Sequence, residues 1–219
     1  MRTIRIMVAA AVAALLAASA NAQEICREQI VDLGLSVKWA GWNIGASAPE
    51  EYGGHYAWGE TEEKEEYTMA TYKWSKGTDR ELTKYCSDEA YGCNDGKSVL
   101  DPEDDVATVK WGKDWRMPTK KEMDEILKKC KWEGISYRGV NGFRCTGPNG
   151  NAVFFPFAGD RYSTKVDLQG IAGLYSTASV DHISPYASSG MYILSGRTNP
   201  GCGFQRDFGR SVRAVYTGK

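Results

Sequence analysis

This chain has almost no histidine: only His55 and His182 in 219 residues. It also has no surplus of positive charge, with 27 basic against 28 acidic side chains. The first shortage leaves little for imidazole proton transfer or His-based metal ligation. The second removes the basic patch that a nucleic-acid-binding domain calls for. Paired C-x-x-C or Cys/His spacings of a zinc site are missing, and so is the EF-hand pattern. No glycine-rich loop leads into a helix, and no serine sits in an elbow motif. A strand–helix–strand rhythm is absent too, which argues against a parallel α/β fold. No cofactor, no metal and no nucleic-acid partner are expected.

The one long uncharged apolar run, residues 6–18, is short for a membrane span. It follows Arg2 and Arg5 and precedes Ala20-Asn21-Ala22, an A-x-A cleavage site. Residues 1–22 therefore read as an export signal and residues 23–219 as one mature domain. No stable membrane span is expected after cleavage. The destination is the periplasm, the cell surface or the medium. Losing Arg2 and Arg5 takes the formal net charge from −1 to −3.

What the chain does have is 24 glycines, 12 tyrosines and 7 tryptophans. That mix suits a loop-rich domain whose burial comes from aromatics. Six cysteines follow the signal, an even count in an exported chain, which favours disulfides. Spacing alone does not choose their pairing. The expectation taken forward is Cys86–Cys93, Cys130–Cys145 and Cys26–Cys202.

The clearest local signal is a helix after Pro118. Thr119 and Glu122 form a T-x-x-E capping box, and Met123, Ile126, Leu127 and Cys130 make one apolar stripe. A second, shorter helix starts at Asp101, with Pro102 at its first position and acids in its first turn. Calcium is a competing use of those acids, but capping already accounts for them. The five glutamates within residues 60–66 read as a solvated loop. Residues 31–39, 55–59, 134–137, 142–146, 152–156, 173–177, 186–195 and 211–216 read as strands, with a hairpin turn at residues 147–150. Helices come early and hairpins late, which indicates α+β with an antiparallel sheet.

Six phrases then occur in a recognisable order: V-D-L-G-L-S-V-K-W-A at 31–40, P-E-E-Y-G at 49–53, A-W-G-E-T at 57–61, L-D-P-E-D-D at 100–105, W-R-M-P-T at 115–119 and S-V-R at 211–213. In this they resemble the Fibrobacter-type major paralogous domain family of exported proteins from Bacteroides-like bacteria. That family in turn looks like the C-type-lectin-like fold of formylglycine-generating enzymes and diversified surface receptors. The resemblance implies two short helices packed on a small twisted antiparallel sheet with long loops, here stapled by disulfides. It also implies a terminal strand whose arginine closes the core. The copper-binding cysteine pair of the oxidase relatives is not matched, since only Cys202 lies in that region. The calcium-chelating strings of the sugar-binding lectins do not occur.

In the diversified relatives the C-terminal region faces the ligand, and here it is rich in the Tyr, Ser, Asn and Arg of paratopes. The expected recognition face is His182, Ser184, Tyr186, Tyr192, Arg197, Asn199, Phe204, Gln205, Arg206 and Asp207, with a glycan or a surface protein as partner. Two alternatives compete. One is a structural subunit of a surface assembly. The other is a hydrolase in which His182 is the base, beside Asp181.

Overall fold

The computed structural model describes residues 24–195 and 197–218, and for Arg197, Asn199, Pro200, Gly201 and Cys202 the backbone alone. Residues 1–22, expected to be an export signal, lie outside these residues. In chain order the elements are β1 (Ile30–Val31), β2 (Lys38–Ala40), α1 (Val106–Trp111), β3 (Trp115–Arg116), α2 (Lys120–Lys129), β4 (Lys131–Tyr137), β5 (Val140–Thr146), β6 (Ala152–Pro156), β7 (Asp160–Tyr162), β8 (Lys165–Asp167), β9 (Ala172–Val180), β10 (Ala187–Leu194), β11 (Arg197–Gln205), β12 (Gly209–Arg210) and β13 (Val215–Tyr216). The class is α+β, with two short α-helices and strands that pair antiparallel. The single small sheet of the expectation is instead four: β1-β2-β13-β3, β11-β10-β9, β12-β7-β8 and β4-β5-β6.

Residues 31–39 are not one strand. The Asp32 carboxylate accepts the Gly34 N–H at 2.7 Å, and Gly34 takes φ +71°, so the chain folds back on itself. β1 then pairs with β2, Val31 opposite Trp39. The last strand, β13, enters between β2 and β3. Residues 55–59 supply only an isolated bridge, Tyr56 to Arg210. The hairpin at 147–150 forms as read, with Gly150 N–H donating to the Gly147 carbonyl. Pro156 ends β6 at a sheet edge, where its missing N–H costs nothing.

The Thr119 helix is the best-read element. Thr119 accepts from the Glu122 N–H, and Glu122 answers the Thr119 N–H at 2.8 Å. Met123 and Ile126 are buried in the main core with Trp39, Phe143, Phe155, Tyr175 and Met191. Arg116 grips Glu122 with both terminal nitrogens, at 2.8 and 2.5 Å. Burial pushes the Glu122 carboxyl up, but Arg116 and Thr119 outweigh it and hold it below the usual carboxylate range. A group whose folded value is lowered stabilises above its unfolded value, and that contribution is lost as pH falls through the folded one. Glu122→Gln should therefore cost about 1 kcal/mol at neutral pH. The gap between variant and wild type should close on acidification in urea melts. A gap that persists at low pH would show that the carboxylate charge contributes nothing.

The shorter helix is capped differently from the expectation. Asp101 makes no side-chain cap bond, and residues 102–104 form a 3-10 turn. Asp105 caps α1 instead, accepting from the Ala107 and Thr108 N–H groups, and its other oxygen takes the Met117 N–H at 2.8 Å. Asp104 is buried and bonded to Lys73, Lys84 and Tyr85. Those bonds occupy the carboxylate that a calcium reading needs.

One arginine joins three of the parts. Arg213 is 0% exposed. Its Nε donates to Asn43 Oδ1 at 2.9 Å, Nη1 to the Ala40 carbonyl at 3.2 Å and Nη2 to the Phe154 carbonyl at 2.7 Å. Its plane lies 4.4 Å over the Phe155 ring. Burial without a carboxylate partner pulls its pKa down to about 10.

Two of the expected disulfide staples are corrected: Cys86, Cys93, Cys130 and Cys145 are thiols. The Cys86 sulfur points to the Asp88 carbonyl at 3.1 Å rather than to Cys93. Cys130 and Cys145 do meet, as a hydrogen-bonded thiol pair at the end of α2. The contact pulls the Cys130 pKa down, while burial pushes Cys145 well up. The side chain of Cys202, and with it the Cys26–Cys202 pairing, lies outside the described residues.

Candidate functional site

β9 ends at Val180, and the next residue builds a rigid turn. The Asp181 carboxylate accepts the Ile183 N–H at 3.0 Å and the Ser184 N–H at 2.9 Å. This is the usual Asp device for turning a chain. Asp181 N–H donates to the Ala187 carbonyl and Ala187 N–H to the Ser184 carbonyl, which closes the loop where β10 begins. Arg206 fixes the turn from inside. Its Nη2 donates to the Pro185 carbonyl at 2.7 Å and the Ala187 carbonyl at 3.3 Å. Its guanidinium lies 4.7 Å over the Trp58 ring, and Trp58 is itself tied to the Thr177 carbonyl at 2.8 Å.

Two side chains on this turn, His182 and Ile183, face solvent. Ile183 is 77% exposed, more than any other large hydrophobic among the described residues. Tyr186 closes the turn and stacks on Tyr91, centroids 4.9 Å apart. Arg80 lies over the Tyr91 ring at 4.9 Å. Tyr91 is held in a 3-10 turn (Glu89–Tyr91) whose cap is the Asp88 carboxylate on the Ala90 N–H. The turn at 181–186 is thus continuous with the segment at 80–91. Sequence reasoning missed Ile183, Tyr91 and Arg80. An isoleucine inside a D-H-I-S-P loop was the one available signal for the first; nothing local marked the other two.

The expected face does not hold together as one surface. Gln205 lies opposite Ala187, close to the turn, and its side chain is exposed. Tyr192 is about 20 Å along β10 from Tyr186 and packs with Leu174 and Phe204. Arg197 and Asn199 pair with Leu194 and Tyr192 at that far end; their side chains lie outside the described residues. Residues 197–205 form a strand, not a loop. Pro200 fits because β11 is an edge. Phe204, Arg206 and Asp207, expected as contacts, are buried. Phe204 lies under the Arg210 guanidinium at 4.3 Å. Arg206 is 1% exposed, and its Nε and Nη1 have no hydrogen-bond partner. Burial pulls its pKa down. One oxygen of Asp207 is likewise unpartnered, and burial pushes that carboxyl up. Ser184 is half-buried and serves the turn through its backbone.

The hydrolase candidate lacks its orienting bond. Asp181 spends its Oδ1 on the turn amides, and no hydrogen bond joins it to His182. His55 is buried, with Nε2 donating to the Ala158 carbonyl at 3.0 Å, and burial lowers its pKa. In the acidic loop, Glu60 is used by Lys64 and the Lys73 N–H, and Glu63 by the His55 N–H. Among the described residues no group of three or more His, Cys, Asp or Glu converges as a metal site.

No family model, no curated protein and no solved structure matches this chain.

Proposed function

We propose that this chain is an exported, non-catalytic binding module that engages a surface protein through the turn at residues 181–186. The observation that carries this reading is Ile183, an apolar side chain 77% exposed on a turn already fixed by Asp181 and Arg206. A prong held in place before binding loses little conformational entropy when it is covered. Its neighbours Tyr186, Tyr91 and Arg80 are of the types that dominate interface energies. Of the two expected partners, a protein fits an aliphatic prong better than a glycan does, since a sugar prefers a flat ring face.

The C-type-lectin-like arrangement and the family named above belong to this same reading. They are supported by the W-R-M-P-T phrase leading into the capped α2 and by Arg213 closing the core beside the last strand. A structural-subunit role has no observation of its own here.

Ile183→Asp tests the proposal. On an array of bacterial surface proteins the variant should lose at least about tenfold in affinity, or about 1.4 kcal/mol. Its thermal midpoint should hold, because the side chain supports nothing. Equal binding by both proteins would place recognition elsewhere.

A further inference from the structure

The sheet β12-β7-β8 presents a second surface, separate from the turn at 181–186. Its register fixes which side chains share a face, because residues directly opposite in antiparallel strands point the same way. Tyr162 is opposite Lys165, Asp160 opposite Asp167, and Arg210 opposite Asp160. Phe208 continues the β12 register by one residue and meets Tyr162. One row of the face is therefore Phe208, Tyr162 and Lys165; the next is Arg210, Asp160 and Asp167.

Tyr162 is the centre of this face. Phe208 covers one side of its ring, with centroids 4.7 Å apart and planes tilted by 36°. The ring is still 54% exposed, so its other side meets solvent. The stack continues inward. The Arg210 guanidinium lies 5.2 Å from the Phe208 ring and 4.3 Å from Phe204. Arg210 is itself bonded to the Gln205 carbonyl and 3.9 Å from Asp160. The hairpin that carries Tyr162 is pinned at its tip, where Ser163 and Tyr67 exchange two backbone bonds of 2.9 Å. Gly209 lets the Tyr67 ring pass, since a Cβ there would lie 2.5 Å from it. The exposed ring is thus held by Phe208 on one face and by the pinned hairpin that carries it.

The surroundings of that ring say what it would take. Lys165, directly opposite Tyr162, and Asp167, in the next row of the same face, are exposed and have no ion-pair partner among the described residues. Asp167 spends one oxygen on the Leu168 N–H. The pair offers a donor and an acceptor of opposite charge, so it attracts neither anions nor cations as a class. A single open ring is far too small for a protein interface, which needs roughly 800 Å² per partner. A pyranose fits both features. Its face of C–H bonds is apolar and flat enough to lie on an aromatic ring, and its hydroxyls ring the edge, where an ammonium donates and a carboxylate accepts.

We propose that the open face of Tyr162, with Lys165 opposite it and Asp167 in the next row of the same face, binds a sugar ring of a neutral oligosaccharide. This does not rest on the protein-binding turn and can fail or hold independently of it.

The test is calorimetric titration of the mature chain, residues 23–219, with neutral hexose and pentose hexasaccharides in α and β linkage, and with a hexagalacturonate as the acidic arm. At least one neutral oligosaccharide should bind. Tyr162→Ala should weaken that binding at least about tenfold with the thermal midpoint unchanged, and Tyr162→Trp, which keeps a flat face, should stay within about threefold of wild type. Ile183→Asp should leave it unaltered. Binding by none of the neutral sugars, binding of the acidic one alone, or neutral binding indifferent to Tyr162→Ala would each overturn the proposal. So would sedimentation showing that Tyr162 instead joins two copies of the chain.

Discussion

Arg213→Met should destabilise the protein by about 3–5 kcal/mol, a large share of what a domain of this size has to lose. The reasoning starts from what the arginine serves. Asn43 and the Ala40 carbonyl come from one segment and the Phe154 carbonyl from another more than 100 residues away, and each accepts from a different nitrogen of the same guanidinium. Bonds to a charged donor contribute about 1.5–3 kcal/mol each. Burying the charge offsets part of this, as the lowered pKa of about 10 shows. Methionine restores volume but no donors, so three buried acceptors would be left open. Lysine keeps the charge but cannot reach three directions from a planar fork. Urea melts should show both variants far below wild type. A methionine variant within about 1 kcal/mol of wild type would mean that Arg213 is packing, not a hub.

Arg206→Met should give a different pattern. Two of its nitrogens already lack partners, so the wild-type residue carries an uncompensated burial cost that methionine removes. Global stability should therefore fall by less than for Arg213. The local effect is the large one. Losing the bonds to the Pro185 and Ala187 carbonyls takes about 2 kcal/mol from the closed form of the turn. The Asp181 and Ala187 amides should then exchange with solvent about 30-fold faster, at 1.4 kcal/mol per tenfold. Binding that depends on Ile183 should weaken in step. Unchanged exchange at those two amides would show that Asp181 alone holds the turn.

How far the sequence led depends on whether a signal was local. The Thr119–Glu122 box and the Met123/Ile126 stripe lie within twelve residues, and both form as read. The hairpin at 147–150 is local too. The β12-β7-β8 sheet was invisible, because its strands are two or three residues long and two of them, D-R-Y and K-V-D, carry no apolar alternation. The cap of α1 was misplaced by four residues because the five positions from Asp101 to Asp105 hold three aspartates, any of which could cap. The stretch singled out for recognition does contain an exposed, rigid turn. Its arginine and phenylalanine looked like contacts because nothing near them in the chain shows that Trp58 and Arg210 lie against them. A buried arginine resting on a distant aromatic cannot be distinguished by sequence from one that faces solvent.

The place of β13 has a consequence for how the chain reaches this state. It sits inside its sheet, with β2 on one side and β3 on the other, and Arg213 just before it bonds Ala40, Asn43 and Phe154. Elements from the two ends of the chain thus close the core together. Contacts of such sequence separation pay loop-closure entropy before they return any stability, which makes folding slow. Synthesis runs the other way along the chain, so residues 30–40 emerge long before the strand that must lie beside them. Until then β2 keeps an open edge. The four-stranded sheet can therefore close only when β13 has been made and has entered between β2 and β3.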